Sequence, residues 1–143
     1  MKCTLIITDE HEEEVVIYAH EKTKLIYDIE NLIRDNAFEL IGYSGYEAVN
    51  LRTDEVVCFL VEEGKVYAIT DKDRFRLKSR LYQLEETLPE NFVKINQSCI
   101  ANIKKIERFD TSVSGTLLIK FKNGYKDYVS RRQMKAVKER FGL

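Results

Sequence analysis

Three short clusters in this chain concentrate side chains suited to gripping a polyanion: Gly64–Lys65, Lys94-Ile95-Asn96-Gln97-Ser98 and Ser130-Arg131-Arg132. Arginine presents paired donors that match a guanine edge, glutamine matches adenine, and serine or lysine suits a phosphate oxygen. Each residue also has an ordinary explanation: Lys65 as a solvated turn residue, Asn96 and Gln97 as turn formers, Ser130 as a helix cap. Taken singly, the ordinary explanations stand.

Charge distribution adds a second signal. The 143 residues hold 23 Lys and Arg against 24 Asp and Glu, a net charge of −1 that conceals a polarity. Residues 1–46 carry four bases and ten acids, a net of −6, whereas residues 91–143 carry twelve bases and four acids, a net of +8. A polyanion binder needs cations concentrated on one surface, which the net charge of a whole chain can hide.

Other chemistry finds little support. There is no phosphate-cradling G-x-x-x-x-G-K-[ST], no G-x-G-x-x-G and no G-x-S-x-G, so neither an enzyme nor a small-molecule substrate is expected. Cys3, Cys58 and Cys99 form no C-x-x-C pair and sit among strand-like apolar neighbours, which predicts small buried hydrophobes. With only His11 and His20 to help, a zinc set cannot be assembled, and no metal or cofactor is expected. No apolar run approaches the roughly 18 residues of a membrane span. The opening MKCTLIITDEHEEEVV breaks its apolar run with acids, unlike a secretory signal. A soluble, cytoplasmic protein is expected, and 44% hydrophobic content argues against wholesale disorder.

The elements that must position these clusters follow from periodicity. Residues 3–8 and 14–19 are β-rich runs joined by an acidic turn and predict a hairpin. Leu25, Ile26, Ile29, Leu32 and Ile33 recur at helical spacing, predicting a helix over 23–36. A unit this small rarely stabilises itself and must dock on the rest of the chain or on a second copy. GYSG at 42–45 marks a turn, dividing the chain into an acidic module, 1–44, and a second domain, 45–143. There, strands are expected at 46–52, 56–61, 65–70, 75–78, 92–95, 99–109, 116–122 and 125–129, with Asn123–Gly124 as the strongest hairpin turn. Ser79 would cap a short helix at 80–88, and Ser130 with Gln133 makes an S-x-x-Q capping box for a last helix closed by Gly142. A helix-turn-helix fits poorly, since the basic region is mostly strand.

The order and spacing of one set of residues resemble the LytTR DNA-binding domain. That pattern is a short helix ending L-P, then F-x-[RK]-[IV]-x-x-S-x-[IV]-x-N-x-x-x-I, a strand pair, and V-S-R before the last helix. Here these are Leu88-Pro89, Phe92, Lys94, Ile95, Ser98, Ile100, Asn102, Ile106 and Val129-Ser130-Arg131, and the resemblance spans about 46–143. Ala101 stands where the family usually has a larger aliphatic, and Gln97 occupies a position that varies with operator preference.

The resemblance implies a mainly β fold: an elongated antiparallel β-sheet domain of three small stacked sheets with short helices, here preceded by the hairpin-plus-helix module. It implies that inter-strand loops enter successive major grooves of double-stranded promoter DNA. Carried over by position, Lys65, Gln97 and Arg132 would face bases, while Lys94, Asn96, Ser98, Lys122, Ser130 and Arg131 would hold the backbone. Asn102 would satisfy a turn instead. The acidic module resembles the extension of small stand-alone bacterial LytTR regulators without a receiver domain, which often occur beside a gene for a small membrane regulatory protein that restrains them. The expected function is transcription regulation by a homodimer. The alternative is a protein-interaction module whose acidic hairpin–helix binds a partner.

Overall fold

Apolar residues alternate with polar ones through much of 40–143, and turn residues interrupt them every few positions, a pattern that buries only as sheet. The computed structural model describes residues 1–37 and 40–143, the side chains of 34–37 excepted. Its elements are α1 (Lys24–Ala37), β1 (Leu40–Ser44), β2 (Glu47–Leu51), β3 (Val56–Glu62), β4 (Lys65–Thr70), β5 (Arg74–Leu77), α2 (Leu81–Thr87), β6 (Phe92–Asn96), β7 (Cys99–Asn102), β8 (Ile106–Asp110), β9 (Leu118–Phe121), β10 (Lys126–Tyr128) and α3 (Arg131–Phe141). No described helix is long and apolar enough to cross a membrane.

Among the described residues all strand pairings are antiparallel and form two sheets, of seven strands (β2-β1-β5-β4-β3-β7-β6) and of three (β10-β9-β8). The mainly β architecture is as expected, but two sheets stand where three small ones were anticipated. The run at 99–109 supplies both sheets, because a 3-10 turn at Ile103–Lys105 breaks it into β7 and β8. Asn102 organises that break from a fully buried position. Its Oδ1 accepts from the Asn91 amide (3.0 Å) and the Lys104 N–H (3.1 Å), and its Nδ2 donates to the Val56 carbonyl (2.8 Å).

The two faces of the large sheet are covered differently. On one, Phe59, Val66, Ala68 and Ile100 pack with Leu81, Leu84 and Leu88 of the α2 region. On the other, Cys58, Leu60, Ile95, Cys99 and Ala101 pack against Ile119 and Phe121 of the small sheet, Leu117 just before β9, and Val137 of α3. Because Leu117, Ile119 and Phe121 turn inward, the intervening Leu118 and Lys120 face out. Each fully buried Leu, Ile or Phe contributes about 1.5–3 kcal/mol.

Four expectations are corrected. Residues 3–8 and 14–19 form no paired strands. A lone two-stranded hairpin is marginal in water, and this one would close on Asp9, Glu10, Glu12, Glu13 and Glu14, whose like charges repel. Cys3 is exposed for the same reason, although Cys58 and Cys99 are buried as expected. The GYSG segment is the end of a strand rather than a domain boundary turn. Gly42 lies inside β1 because a side chain there would collide with Leu51 and Phe75, each 2.6 Å from its Cβ position, while Gly45 (φ +57°) opens the β1–β2 turn. Ser79 does not cap α2. The cap is Arg80, whose N–H donates to the Gln83 side-chain oxygen at 2.9 Å.

Candidate nucleic-acid interface

Two strand turns and one helix start come together at one end of the large sheet. The first joins β3 to β4 through Glu63 (φ 51°) and Gly64 (φ 73°), a left-handed pair of the kind a two-residue hairpin needs, and sets Glu62 opposite Lys65. The second, Gln97–Ser98, joins β6 to β7. Leu60 pairs with Cys99, and the Val61 N–H donates to the Ser98 carbonyl at 2.9 Å, so this turn lies beside the first.

The third element is the start of α3. Register between β6 and β7 shifts between Lys94 and Asn96, and the Ile95 carbonyl accepts the Ser130 N–H at 2.9 Å. That bond pins the helix start against the β6 hairpin. Ser130 caps the helix as expected, its Oγ accepting from the Gln133 N–H at 3.4 Å, and Gly142 closes the helix in the left-handed conformation (φ 67°). The Ser130 hydroxyl proton is left available to an outside acceptor.

The result is a hollow of about 440 Å³ lined by Lys94, Gln97, Ser130, Arg132 and Gln133. Four of the expected residues therefore share one concavity. Ser98 and Arg131 are exposed next to the lining residues Gln97 and Arg132, and Lys65 is exposed on the neighbouring β3–β4 turn. None of the ion pairs among the described residues involves Lys65, Arg131 or Arg132, whereas Lys94 Nζ lies 3.5 Å from Glu85 Oε2. A helix N-terminus adds partial positive charge to the same end.

Two expected residues stand apart. The Asn96 side chain is committed inside the protein: Nδ2 donates to Asp127 Oδ1 (3.1 Å) and to the Tyr128 carbonyl (2.8 Å), while Oδ1 accepts the Ser98 N–H (2.8 Å). It shapes the Gln97–Ser98 turn and ties it to β10. Lys122 is not brought to the hollow. Its N–H donates to the Lys105 carbonyl (2.9 Å), beyond the far end of β7, and it lies one pleat past Lys120 on the small sheet.

Two residues that sequence reasoning did not single out support the site. Gln133 was visible only as a capping residue, yet its side chain lines the hollow. Asp127 holds Asn96 and accepts from the Tyr125 hydroxyl at 3.3 Å. Burial first, and then the Asp127 charge, push the Tyr125 hydroxyl well above its ordinary value, so it remains a donor. The Cys99 thiol is likewise pushed up, first by contact with Cys58 and then by burial, which makes it an unreactive packing residue.

The model of the LytTr DNA-binding domain matches residues 46–142. The chain belongs to that family. Uncharacterized HTH-type transcriptional regulators of Staphylococcus aureus strains COL and MW2 are 34% and 33% identical to it over 146 residues, covering 100% of this chain and 99% of theirs. A solved LytTr DNA-binding domain from Bacillus cereus superposes with a TM-score of 0.70 at 19% identity, covering 73% of this chain and 97% of that one. In this LytTr protein no two described helices are consecutive, since β1–β5 separate α1 from α2 and β6–β10 separate α2 from α3. The hollow is built from strand turns and one helix start.

Proposed function

We propose that this LytTr protein is a transcription regulator that binds duplex DNA sequence-specifically, presenting inter-strand turns to the major groove. The carrying observation is the hollow that the β6–β7 turn and the start of α3 form together, with Lys94 and Arg132 in its lining and the β3–β4 turn beside the β6–β7 turn. Lys65, Gln97 and Arg132 face bases. Lys94, Ser98, Ser130 and Arg131 hold phosphates, and Asn96 acts from within by fixing the turn that carries Gln97. Selection from a random duplex pool at physiological salt should enrich a motif of repeated half-sites. Salt-sensitive binding without enrichment would overturn sequence-specific reading.

Of the acidic module 1–44, the part that precedes β1 pairs two copies in this proposal. Leu5, Ile7 and Tyr18 are 85%, 92% and 94% exposed, and Leu25 and Leu32 of α1 are 54% and 64% exposed, more apolar surface than a monomer normally leaves to water. The opposite side of α1 is held to the domain: Arg140 donates to the Tyr27 hydroxyl (3.4 Å) and the Glu90 carbonyl (2.7 Å), and Lys22 bridges Glu30 and Glu90. Pairing raises affinity for repeated half-sites through effective concentration. Analytical ultracentrifugation at tens of micromolar should show a dimer, and a monomer there would sink this part. Such a regulator works in the cytoplasm, and a small membrane protein that restrains it would act on the same module.

A further inference from the structure

We propose that the outer face of the three-stranded sheet is a second DNA-backbone contact, in which Arg108, Lys120 and Lys126 carry the duplex that flanks the sequence read at the turns. The proposal rests on the reading of this protein as a duplex binder.

The strand register places these cations in one row. Arg108 is opposite Lys120 in the β8–β9 pairing, and Lys120 is opposite Lys126 in the β9–β10 pairing. Like charges directly opposite across antiparallel strands destabilise the pairing unless something of opposite sign lies over them. None of the three takes part in an ion pair among the described residues. They line a shallow hollow of about 520 Å³ whose one carboxylate is Asp110. That carboxylate accepts the Ser112 N–H at 2.8 Å and is held below its ordinary value first by the Ser112 hydrogen bonds and only then by Arg108 and Lys126. One acid engaged in its own turn leaves the row strongly cationic.

Its position favours DNA over an acidic protein. Lys126 and Tyr128 are both exposed on β10, one pleat apart, about 7 Å. The Tyr128 carbonyl accepts the Asn96 amide at 2.8 Å, and Ser130, two residues on, opens α3 at the reading hollow. The row therefore continues directly from the end that carries the reading turns. Three neighbouring strands make it about 10 Å wide. A duplex presents about one charge per 1.7 Å of its axis, so a row of that width meets several phosphates.

The test compares parent and Arg108→Gln/Lys120→Gln/Lys126→Gln protein on two duplexes, one trimmed to the selected motif and one extended well beyond it. On the extended duplex the triple variant should bind more weakly, and its slope of log K against log salt should shrink by up to about 2.7, about 0.9 for each of three phosphates. On the trimmed duplex the two proteins should bind equally. The preference for selected over scrambled sequence should be unchanged, and the variant should melt no lower than the parent, since repulsion has been removed. Equal slopes on the extended duplex would overturn the proposal. So would a loss of the same size on both duplexes, or unchanged DNA binding together with lost binding to an acidic polypeptide such as polyglutamate. If the parent selects no motif, the failure belongs to the sequence-reading proposal instead.

Discussion

Residues 40–143 and residues 1–37 solve the problem of apolar surface in opposite ways. The first closes two cores of its own, one under α2 and one between the sheets, and buries Phe59, Ile95, Ile119 and Phe121 completely. The second has comparable β-prone runs, yet Leu5, Ile6, Ile7, Val15 and Val16 remain exposed, and only one side of α1 touches the domain. Local propensity is similar in the two regions. The difference lies in neighbours, because a strand is stable only when another strand and a covering layer are present.

That contrast can be broken or sharpened by substitution. Phe121→Ala should cost about 3–5 kcal/mol in urea denaturation, the largest effect expected here, because it empties the inter-sheet core. Ile6→Asp should leave the unfolding free energy within about 0.5 kcal/mol of the parent at concentrations where both are monomers, while abolishing the dimer seen by ultracentrifugation at tens of micromolar. A large stability loss from Ile6→Asp would show that the N-terminal run belongs to the domain's own core.

Within the folded region, Asn102→Ala should cost about 1–3 kcal/mol, since it strands the Val56 carbonyl and the Asn91 amide in a buried place. Arg132→Ala should cost a similar amount, about 1–3 kcal/mol, but in binding to the selected motif, with relaxed sequence preference and unchanged melting. Equal losses on selected and scrambled duplex would make Arg132 a phosphate contact. The smallest effect is expected for Lys122→Ala. Lying away from the hollow, it should weaken all sequences alike and flatten the salt slope by less than about one unit. A change of sequence preference would contradict that placement.

Much of the fold was legible in residue order. Alternation of Leu117, Ile119 and Phe121 identified a half-buried strand, Asn123–Gly124 its turn, and Ser130 with Gly142 the limits of the last helix, all of which the structure contains. These features depend on residues within a few positions of each other. The misjudged ones do not. Gly42 looks like a turn residue in sequence, and only the approach of Leu51 and Phe75 shows why a strand needs glycine there. Asn96 looks like a phosphate contact until Asp127, thirty-one positions away, is seen to accept its amide. The run at 99–109 looks like one strand until Asn102 and its partners break it between two sheets.

By itself the sequence determined the mainly β class, the segregation of charge, the capping of α3 and the family pattern. All of these are written in side-chain type and short-range spacing, and so is most of the list of polar residues at the site. Tertiary structure alone decided which of those residues meet. The β6 register shift frees a carbonyl for Ser130, the β3–β7 pairing sets two turns side by side, and the β8–β9–β10 register aligns three cations. Register and bulges depend on cross-strand partners that chain order does not specify, and a shift of one residue would have turned each side chain to the other face.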